Sequence, residues 1–139
     1  MKSKIVDMHV ETAAQAAALF DEATKIAGTQ EGFFVLPLDG GGKVLAEPVM
    51  VSLGHKDGTT MVDPKEVFKA AFRAGADAII VAHNHPSGNL MPSKTDLRLT
   101  EELKSRAEWL GLEFIDHIIL GPPNSANTLD FISLAETLP

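Results

Sequence analysis

The most apolar run of the chain, ADAIIVA at residues 76–82, is short and contains one charged residue, Asp77. A run of this length with isoleucine and valine is typical of a β-strand that is buried on both faces. Such a strand lies inside a sheet that helices cover on both sides, so this segment already favours an α/β domain. The polar stretch that follows at once, HNHPSGNLMPSKTD at 83–96, needs its own explanation.

Helical and extended patterns alternate along the rest of the chain. Helices are predicted where apolar residues recur at helical spacing and a glycine follows, and strands where apolar and β-branched residues run together. Pro37 indicates that its strand lies at a sheet edge or is irregular there. The predicted order is helix 9–28, strand 32–39, turn 40–42, strand 43–54, helix 62–76, strand 76–82, helix 93–111, strand 112–121, and a tail of loop with a short strand or turn.

This order predicts an α/β fold in which a mixed β-sheet is covered by helices. The 139 residues and the 45% hydrophobic content are enough for one domain with a core of its own. We therefore expect a single domain over 1–139, with a leading helix in 1–30 and the part that bears the histidine loop in 31–135.

Composition excludes several kinds of site and makes some partners less favourable. The chain has no cysteine, which rules out disulfides, thiolate catalysis and zinc sites built on sulfur. Its formal net charge is -7 and its 12 basic residues are scattered, which disfavours nucleic acid as a partner without excluding it. Neither a secretory signal nor an apolar run of about 20 residues is visible, so we expect a cytoplasmic protein without a membrane partner. The sequence says nothing about the oligomeric state.

The polar stretch after the buried strand has the pattern of a metal site. Residues two apart on a strand point to the same side, so His83 and His85 can aim their rings at one point. Pro86 and Pro92 stiffen the loop, which can bring Asp96 back against both rings. Two nitrogens and one carboxylate are typical of a catalytic zinc site, which leaves a position for a water whose pKa falls to about 7.

Simpler interpretations of the same residues stay open. Ser93 and Asp96 have the spacing of a helix capping box, and both could serve only the start of the following helix. The histidines could be loop residues that are hydrogen-bonded to the backbone. Capping and metal binding are also compatible, since Ser93 can cap while Asp96 binds the cation.

The same residues resemble a known family. HNHPSGNLMPSKTD is similar to the JAMM motif of JAB/MPN domains, in which His-x-His is followed by a spaced Ser-x-x-Asp. DPKEVFKAAFRAGADAII before the motif and DHIILG after it resemble the RadC-like branch of that group. The resemblance runs from about Glu31 to Gly121, with a fainter similarity at FISLAE.

This resemblance implies a three-layer JAB/MPN fold of the cytidine-deaminase type and a zinc metallopeptidase-like hydrolase with one Zn²⁺ per chain. It assigns His83, His85 and Asp96 as zinc ligands and Ser93 as the hydroxyl that hydrogen-bonds the developing oxyanion. It also implies an upstream glutamate as general acid and base. Glu31 is our choice for it, with Glu47 as the competitor.

Three further residues near the motif are predicted to have structural roles. Asn84 must point away from its two histidine neighbours, so we expect it to fix the loop by hydrogen bonds. For Asp116 and His117 a structural role in the sheet is favoured over support of a ligand.

The sequence therefore predicts a zinc-dependent hydrolase that cleaves an amide or isopeptide bond in a peptide or protein conjugate. The alternatives are a DNA repair or recombination accessory protein of the RadC type and a non-catalytic protein-interaction module. Larger RadC-like proteins carry an N-terminal helical region, whereas one helix precedes the matched part here, so we expect the DNA role to transfer poorly.

Overall fold

A computed structural model describes residues 3–54, 62–122 and 129–137 of the chain. These residues form a mixed five-stranded sheet and four helices, which confirms the predicted fold class. The elements in chain order are α1 (Ala13–Ala27), β1 (Gly32–Leu38), β2 (Val49–Leu53), α2 (Pro64–Arg73), β3 (Ala78–Asn84), α3 (Lys94–Trp109), β4 (Glu113–Leu120), β5 (Phe131–Ser133) and α4 (Leu134–Thr137).

The strands lie side by side in the order β2-β1-β3-β4-β5. β3 and β4 are parallel, because α3 crosses over between them, and the three other neighbouring pairs are antiparallel. Every residue of β3 is buried, as the apolar run predicts for a strand with a helical layer on each face.

Helices cover both faces of the sheet, and the sheet divides the core into two parts. Alternate strand residues, such as Phe34 and Ile80, pack with Phe20 of α1 on one face. Their neighbours along the strands pack with α2 and α3 on the other face, where Leu103 is fully buried. No helix in the described ranges is both long and apolar enough to cross a lipid bilayer.

The helix boundaries follow from capping chemistry. Asp63 caps α2 by accepting a hydrogen bond from the Lys65 N–H at 2.9 Å, and Pro64 occupies the first turn, as predicted. The first helix begins later than predicted, because Thr12 caps it and His9 forms an antiparallel bridge with Lys43 instead. A cap in extended conformation ends the helical run toward the N-terminus.

Of the two interpretations of Pro37, an edge strand or an irregular one, the edge position is wrong. β1 lies between β2 and β3 and is buried along its whole length. The ladder between β1 and β2 reaches only to Val35, whereas the ladder with β3 continues to Leu38. The proline therefore follows the end of one ladder, where its missing N–H breaks no bond of that ladder. The predicted return strand 43–54 is likewise shorter, since β2 begins at Val49.

Asp116 attaches the C-terminal segment to the sheet. Its carboxylate is buried and accepts hydrogen bonds from the backbone N–H of His117 at 2.7 Å, from the Ser133 hydroxyl at 2.5 Å and from the Ala135 N–H at 2.9 Å. These contacts join β4 to β5 and to the start of α4. The predicted tail of a loop with a short strand or turn lies partly outside the described residues, and the described part is β5 and α4.

Candidate metal centre

The candidate site lies at one end of the sheet, where three elements meet. β3 ends in His83 and Asn84. β1 runs antiparallel to β3 and begins at the same end, because Phe33 pairs with His83. Glu31 immediately precedes β1, so the register of this ladder brings its backbone next to the histidine. Asp96 reaches the site from the first turn of α3.

Four side chains converge at this point. One ligand atom from each of Glu31, His83, His85 and Asp96 lies within 4.8 Å of all the others. The Nε2 atom of His83 is 3.3 Å from Asp96 Oδ1 and 3.5 Å from Glu31 Oε1. The Nε2 atom of His85 is 3.4 Å from Asp96 Oδ2 and 3.8 Å from the same Glu31 oxygen. The His83 side chain is almost fully buried, and the three others are partly exposed.

The loop after β3 fixes the ring of His85. The backbone N–H of His85 donates to the Leu120 carbonyl at 2.7 Å, which extends the β3–β4 pairing by one residue. Gly88 then reverses the chain with a φ of 86°, a conformation that favours glycine. The reversal places the Asn89 carbonyl 2.7 Å from His85 Nδ1. Because a carbonyl can only accept, Nδ1 carries the proton, and the Nε2 of the neutral ring presents a lone pair.

A divalent cation fits this arrangement. The Nε2 atoms of His83 and His85 lie 2.7 Å apart, and two lone pairs this close repel each other unless they share a proton or bind the same cation. Glu31 and Asp96 bring two carboxylates to the same point, and buried negative charge is stable when it is paired or coordinates a metal. Imidazole nitrogen with carboxylate oxygen is a donor set typical of zinc.

Asp96 serves the helix start and the cluster at the same time. Its backbone N–H donates to Ser93 Oγ at 3.0 Å, and its Oδ2 accepts from the Ser93 N–H at 2.9 Å, which completes a capping box. Its Oδ1 faces His83. Burial raises the pKa of Asp96, but the protonated forms of the His83 and His85 rings, which donate to its carboxylate, outweigh this effect and hold that pKa well below its usual value. The cap and the ligand interpretations are therefore compatible.

Asn84 holds Glu31 in place from the opposite side of β3. Its side chain is buried and lies on the face of β3 opposite to that of its two neighbours in sequence. Its Oδ1 accepts from the Gly32 N–H at 2.8 Å, and its Nδ2 donates to the Gln30 carbonyl at 2.9 Å. The two bonds flank Glu31 on both sides along the chain. A third bond, from the Gly54 N–H to the Glu31 carbonyl at 2.7 Å, secures the same segment.

Glu47, the other candidate glutamate, lies elsewhere. It is exposed in the connection between β1 and β2 and accepts a hydrogen bond from the Ser3 hydroxyl at 2.5 Å. Two residues before it, the Leu45 N–H donates to the Pro37 carbonyl near the far end of β1. An extended strand rises about 3.3 Å per residue, so this end of β1 is roughly 20 Å from Glu31.

The histidine rings in and beside the cluster differ in the direction of their pKa shifts. Burial lowers the pKa of His85, but its hydrogen bonds to Asp96 and to the Asn89 carbonyl, together with the charge of Glu31, raise that pKa above the ordinary value. Burial lowers the pKa of His117 well below its ordinary value, and the neighbouring His83 adds to this effect. His117 is therefore neutral near pH 7.

The structure separates the neighbours Asp116 and His117. Asp116 faces β5 and α4, in keeping with the structural role that the sequence favours. His117 instead reaches the cluster, with its Nε2 atom 2.7 Å from His83 Nδ1. Thr100, which the sequence interpretation overlooked, contacts His117 Nδ1 at 2.7 Å. Its position one helical turn after Asp96, on the buried face of α3, is the signal that could have identified it.

Ser93 stands at the rim of the cluster. It is exposed, and its Oγ accepts the Asp96 N–H with a lone pair, so this contact leaves the hydroxyl proton for another acceptor.

The chain is similar to proteins of known families. A model of the RadC-like JAB domain matches residues 10–137. A UPF0758 protein of Staphylococcus haemolyticus is 44% identical over 102 residues, which are 73% of this chain and 44% of that protein. A UPF0758 protein of Synechocystis is 38% identical over 120 residues, 86% of this chain and 49% of the relative. A third, from Acaryochloris marina, is 43% identical over 127 residues, 91% of this chain and 48% of the relative.

The contacts of Asn84 predict a measurable loss of stability. Asn84→Ala leaves the Gly32 N–H and the Gln30 carbonyl without their partner, which costs about 1–3 kcal/mol in the free energy of unfolding. Urea denaturation of the metal-free protein measures this loss. Lys104→Ala is the control, because it changes an exposed side chain on α3, for which about 0.5 kcal/mol or less is expected. Equal losses in the two variants would contradict this account.

Proposed function

Because this chain belongs to the RadC-like JAB domain family, we propose that it is a zinc-dependent hydrolase of the JAMM type that cleaves an amide or isopeptide bond. The observation that carries the proposal is the convergence of four potential ligand atoms within 4.8 Å at one end of the sheet. The chain spans about half the length of the curated relatives it matches, so the proposal concerns the reaction of this domain.

In this proposal His83, His85 and Asp96 hold the zinc. The two rings present nitrogen, the carboxylate presents oxygen, and all three are oriented by contacts within the fold. When bound, the metal polarises a substrate carbonyl and lowers the pKa of water to about 7. Glu31 lies slightly farther from both histidines than Asp96 does, which suits a carboxylate that handles protons beside the metal.

Two residues of the chain act on the substrate. Glu31 takes a proton from the attacking water and delivers it to the nitrogen of the leaving amine. Ser93 donates a hydrogen bond from its hydroxyl to the carbonyl oxygen as that oxygen gains negative charge. The C–N bond breaks, the water oxygen stays with the acyl group, and the second water proton passes to the released amine, which leaves a carboxylate and an ammonium group.

A peptide or protein conjugate is the proposed substrate. The cluster lies at the end of the sheet rather than in a closed chamber, and His85, Glu31 and Asp96 are 13–14% exposed. Ser93 is more exposed and lies beside them. A main-chain or isopeptide amide that belongs to a large molecule can therefore reach these residues.

Metal content tests the first part of the proposal. Purified protein, reloaded with zinc after chelation and dialysed, is expected to hold about one zinc per chain by elemental analysis. Asp96→Ala is expected to lose most of this zinc. His9→Ala, which removes an exposed histidine outside the cluster, is expected to keep it. Absence of zinc, or preferential retention of iron or manganese, would contradict the assignment and favour the non-catalytic module or another metal.

Zinc affinity should depend on pH in a definite direction. A raised pKa for His85 means that protons compete with the metal at higher pH than for an ordinary histidine. Asp96 stays ionised in the same pH range, because its pKa is lowered, and so it adds nothing to the change of zinc affinity with pH. The apparent Kd should therefore rise by about tenfold or more from about pH 8 to about pH 6. Competition with a chelator whose protonation constants are known measures the apparent Kd at each pH. A Kd that does not change with pH would contradict the role of His85.

Paired glutamate variants test the proton-transfer role. Glu31→Gln keeps the size of the side chain and removes the base, so turnover should fall by about 10²–10⁴-fold while the zinc content is kept. Glu47→Gln is the matched control and should retain turnover. The assay uses a panel of fluorogenic peptide amides that includes an ε-lysyl isopeptide. An active Glu31→Gln variant, or an inactive Glu47→Gln variant, would count against the assignment.

DNA association of the RadC type and a cytoplasmic location stay predictions from the sequence.

A further inference from the structure

The cluster is connected to the interior by a chain of buried polar groups. His83 Nδ1 lies 2.7 Å from His117 Nε2, and His117 Nδ1 lies 2.7 Å from Thr100 Oγ1. The Thr100 hydroxyl donates to the backbone carbonyl of Asp96 at 2.8 Å. All three linking side chains are almost fully buried. The chain therefore starts at one proposed ligand, His83, and ends on the residue that provides another, Asp96.

The sheet register makes this connection. β3 and β4 are parallel, and Val81 is the register partner of His117. His83 lies two residues beyond Val81 on the same face of β3, so its ring comes next to the ring of His117. Thr100 approaches from α3, one turn after Asp96, and completes the link between the two strands and the helix.

The protons of this series of hydrogen bonds can be assigned by counting donors. A threonine hydroxyl has one proton, and Thr100 gives it to the Asp96 carbonyl. At its other contact Thr100 must accept, so His117 carries its proton on Nδ1. A neutral ring then has a bare Nε2, and His117 is fully buried between a hydroxyl and another imidazole, where a charged ring is disfavoured. The remaining contact requires that His83 donates from Nδ1.

We propose that His117 and Thr100 are positioning residues that lock His83 in the tautomer whose Nε2 presents a lone pair to the cluster. The free ring has two neutral tautomers, and the hydrogen bond at one nitrogen decides which is present. Here that bond comes from a buried histidine, which in turn is fixed by threonine. The inference deepens the proposed function and rests on it wherever the metal is concerned.

Charge explains why a histidine suits this place. The second nitrogen of a metal-binding histidine usually donates to a carboxylate, a carbonyl or water. A carboxylate in place of His117 would put a third negative charge beside Glu31 and Asp96, in a fully buried position. A neutral imidazole accepts the same proton and adds no charge. Two carboxylates and a divalent cation therefore stay balanced.

The first experiment reads the tautomers directly in the metal-free full chain. Long-range ¹H–¹⁵N spectra of histidine side chains should show His83 and His117 protonated at Nδ1. Thr100→Val removes the hydroxyl at nearly constant volume, so His117 should move its proton to Nε2 and His83 should follow. Thr100→Ser keeps the hydroxyl and should resemble the parent. A parent protein with the His83 proton on Nε2, or an unchanged His83 tautomer in Thr100→Val, would overturn the proposal.

The second experiment measures zinc affinity in the same variants. Thr100→Val should weaken zinc binding by about 10–100-fold, the usual effect of losing a partner behind a ligand, and Thr100→Ser should match the parent. Zinc binding by Thr100→Val that is as tight as in the parent would refute the positioning role. If the parent itself binds no zinc, the proposed function fails, and the spectra still decide the tautomer.

Two variants of His117 guard against misfolding of Thr100→Val. His117→Gln offers an amide oxygen to His83 and an amide N–H to Thr100, so it should keep the His83 proton on Nδ1. His117→Leu offers neither and should release the tautomer. The reverse pattern in the spectra would contradict the proposal.

Discussion

The antiparallel register between β1 and β3 is the constraint on which the candidate site depends. It pairs Phe33 with His83 and so brings the residue before β1 next to the end of β3. A slip of one residue would turn every side chain of the strand to the other face. The side chain of Asn84 secures this register, since it bonds the backbone on both sides of Glu31. One buried amide thus joins the pairing of two strands to the position of a carboxylate.

The cluster gathers charged and titratable groups at one end of the sheet. Two carboxylates and two imidazoles share a small, partly buried volume, and each group is held there by bonds that local structure needs in any case. Asp96 closes the capping box of α3, and His85 closes the turn after β3. Because these bonds are made by the capping box and the turn themselves, local structure orients the donor atoms. Preorganisation of this kind is what a binding or catalytic site requires.

Adjacent residues of β4 take opposite tasks. Asp116 faces β5 and α4 and ties the C-terminal segment to the sheet, whereas His117 faces α3 and contacts His83. Alternation along a strand separates the two side chains. The Asp116 carboxylate also accepts the backbone N–H of His117, so the anchor of the C-terminal segment steadies the residue behind the site. Stability of the fold and geometry of the cluster are therefore coupled through two neighbouring positions.

Local patterns in the sequence determined the α/β fold, the burial of β3, the cap at Ser93 and the grouping of His83, His85 and Asp96. These features depend on side-chain period and on contacts within a few residues, which a single chain displays. The resemblance favoured Glu31 over Glu47, but local pattern did not separate the two, and the strand register decided that Glu31, which precedes β1, lies beside the histidines. Tertiary structure also placed β1 inside the sheet despite Pro37, and it joined Thr100 and His117 to His83. Such contacts arise from the crossover and the order of the strands, and these leave no periodic signal in the sequence.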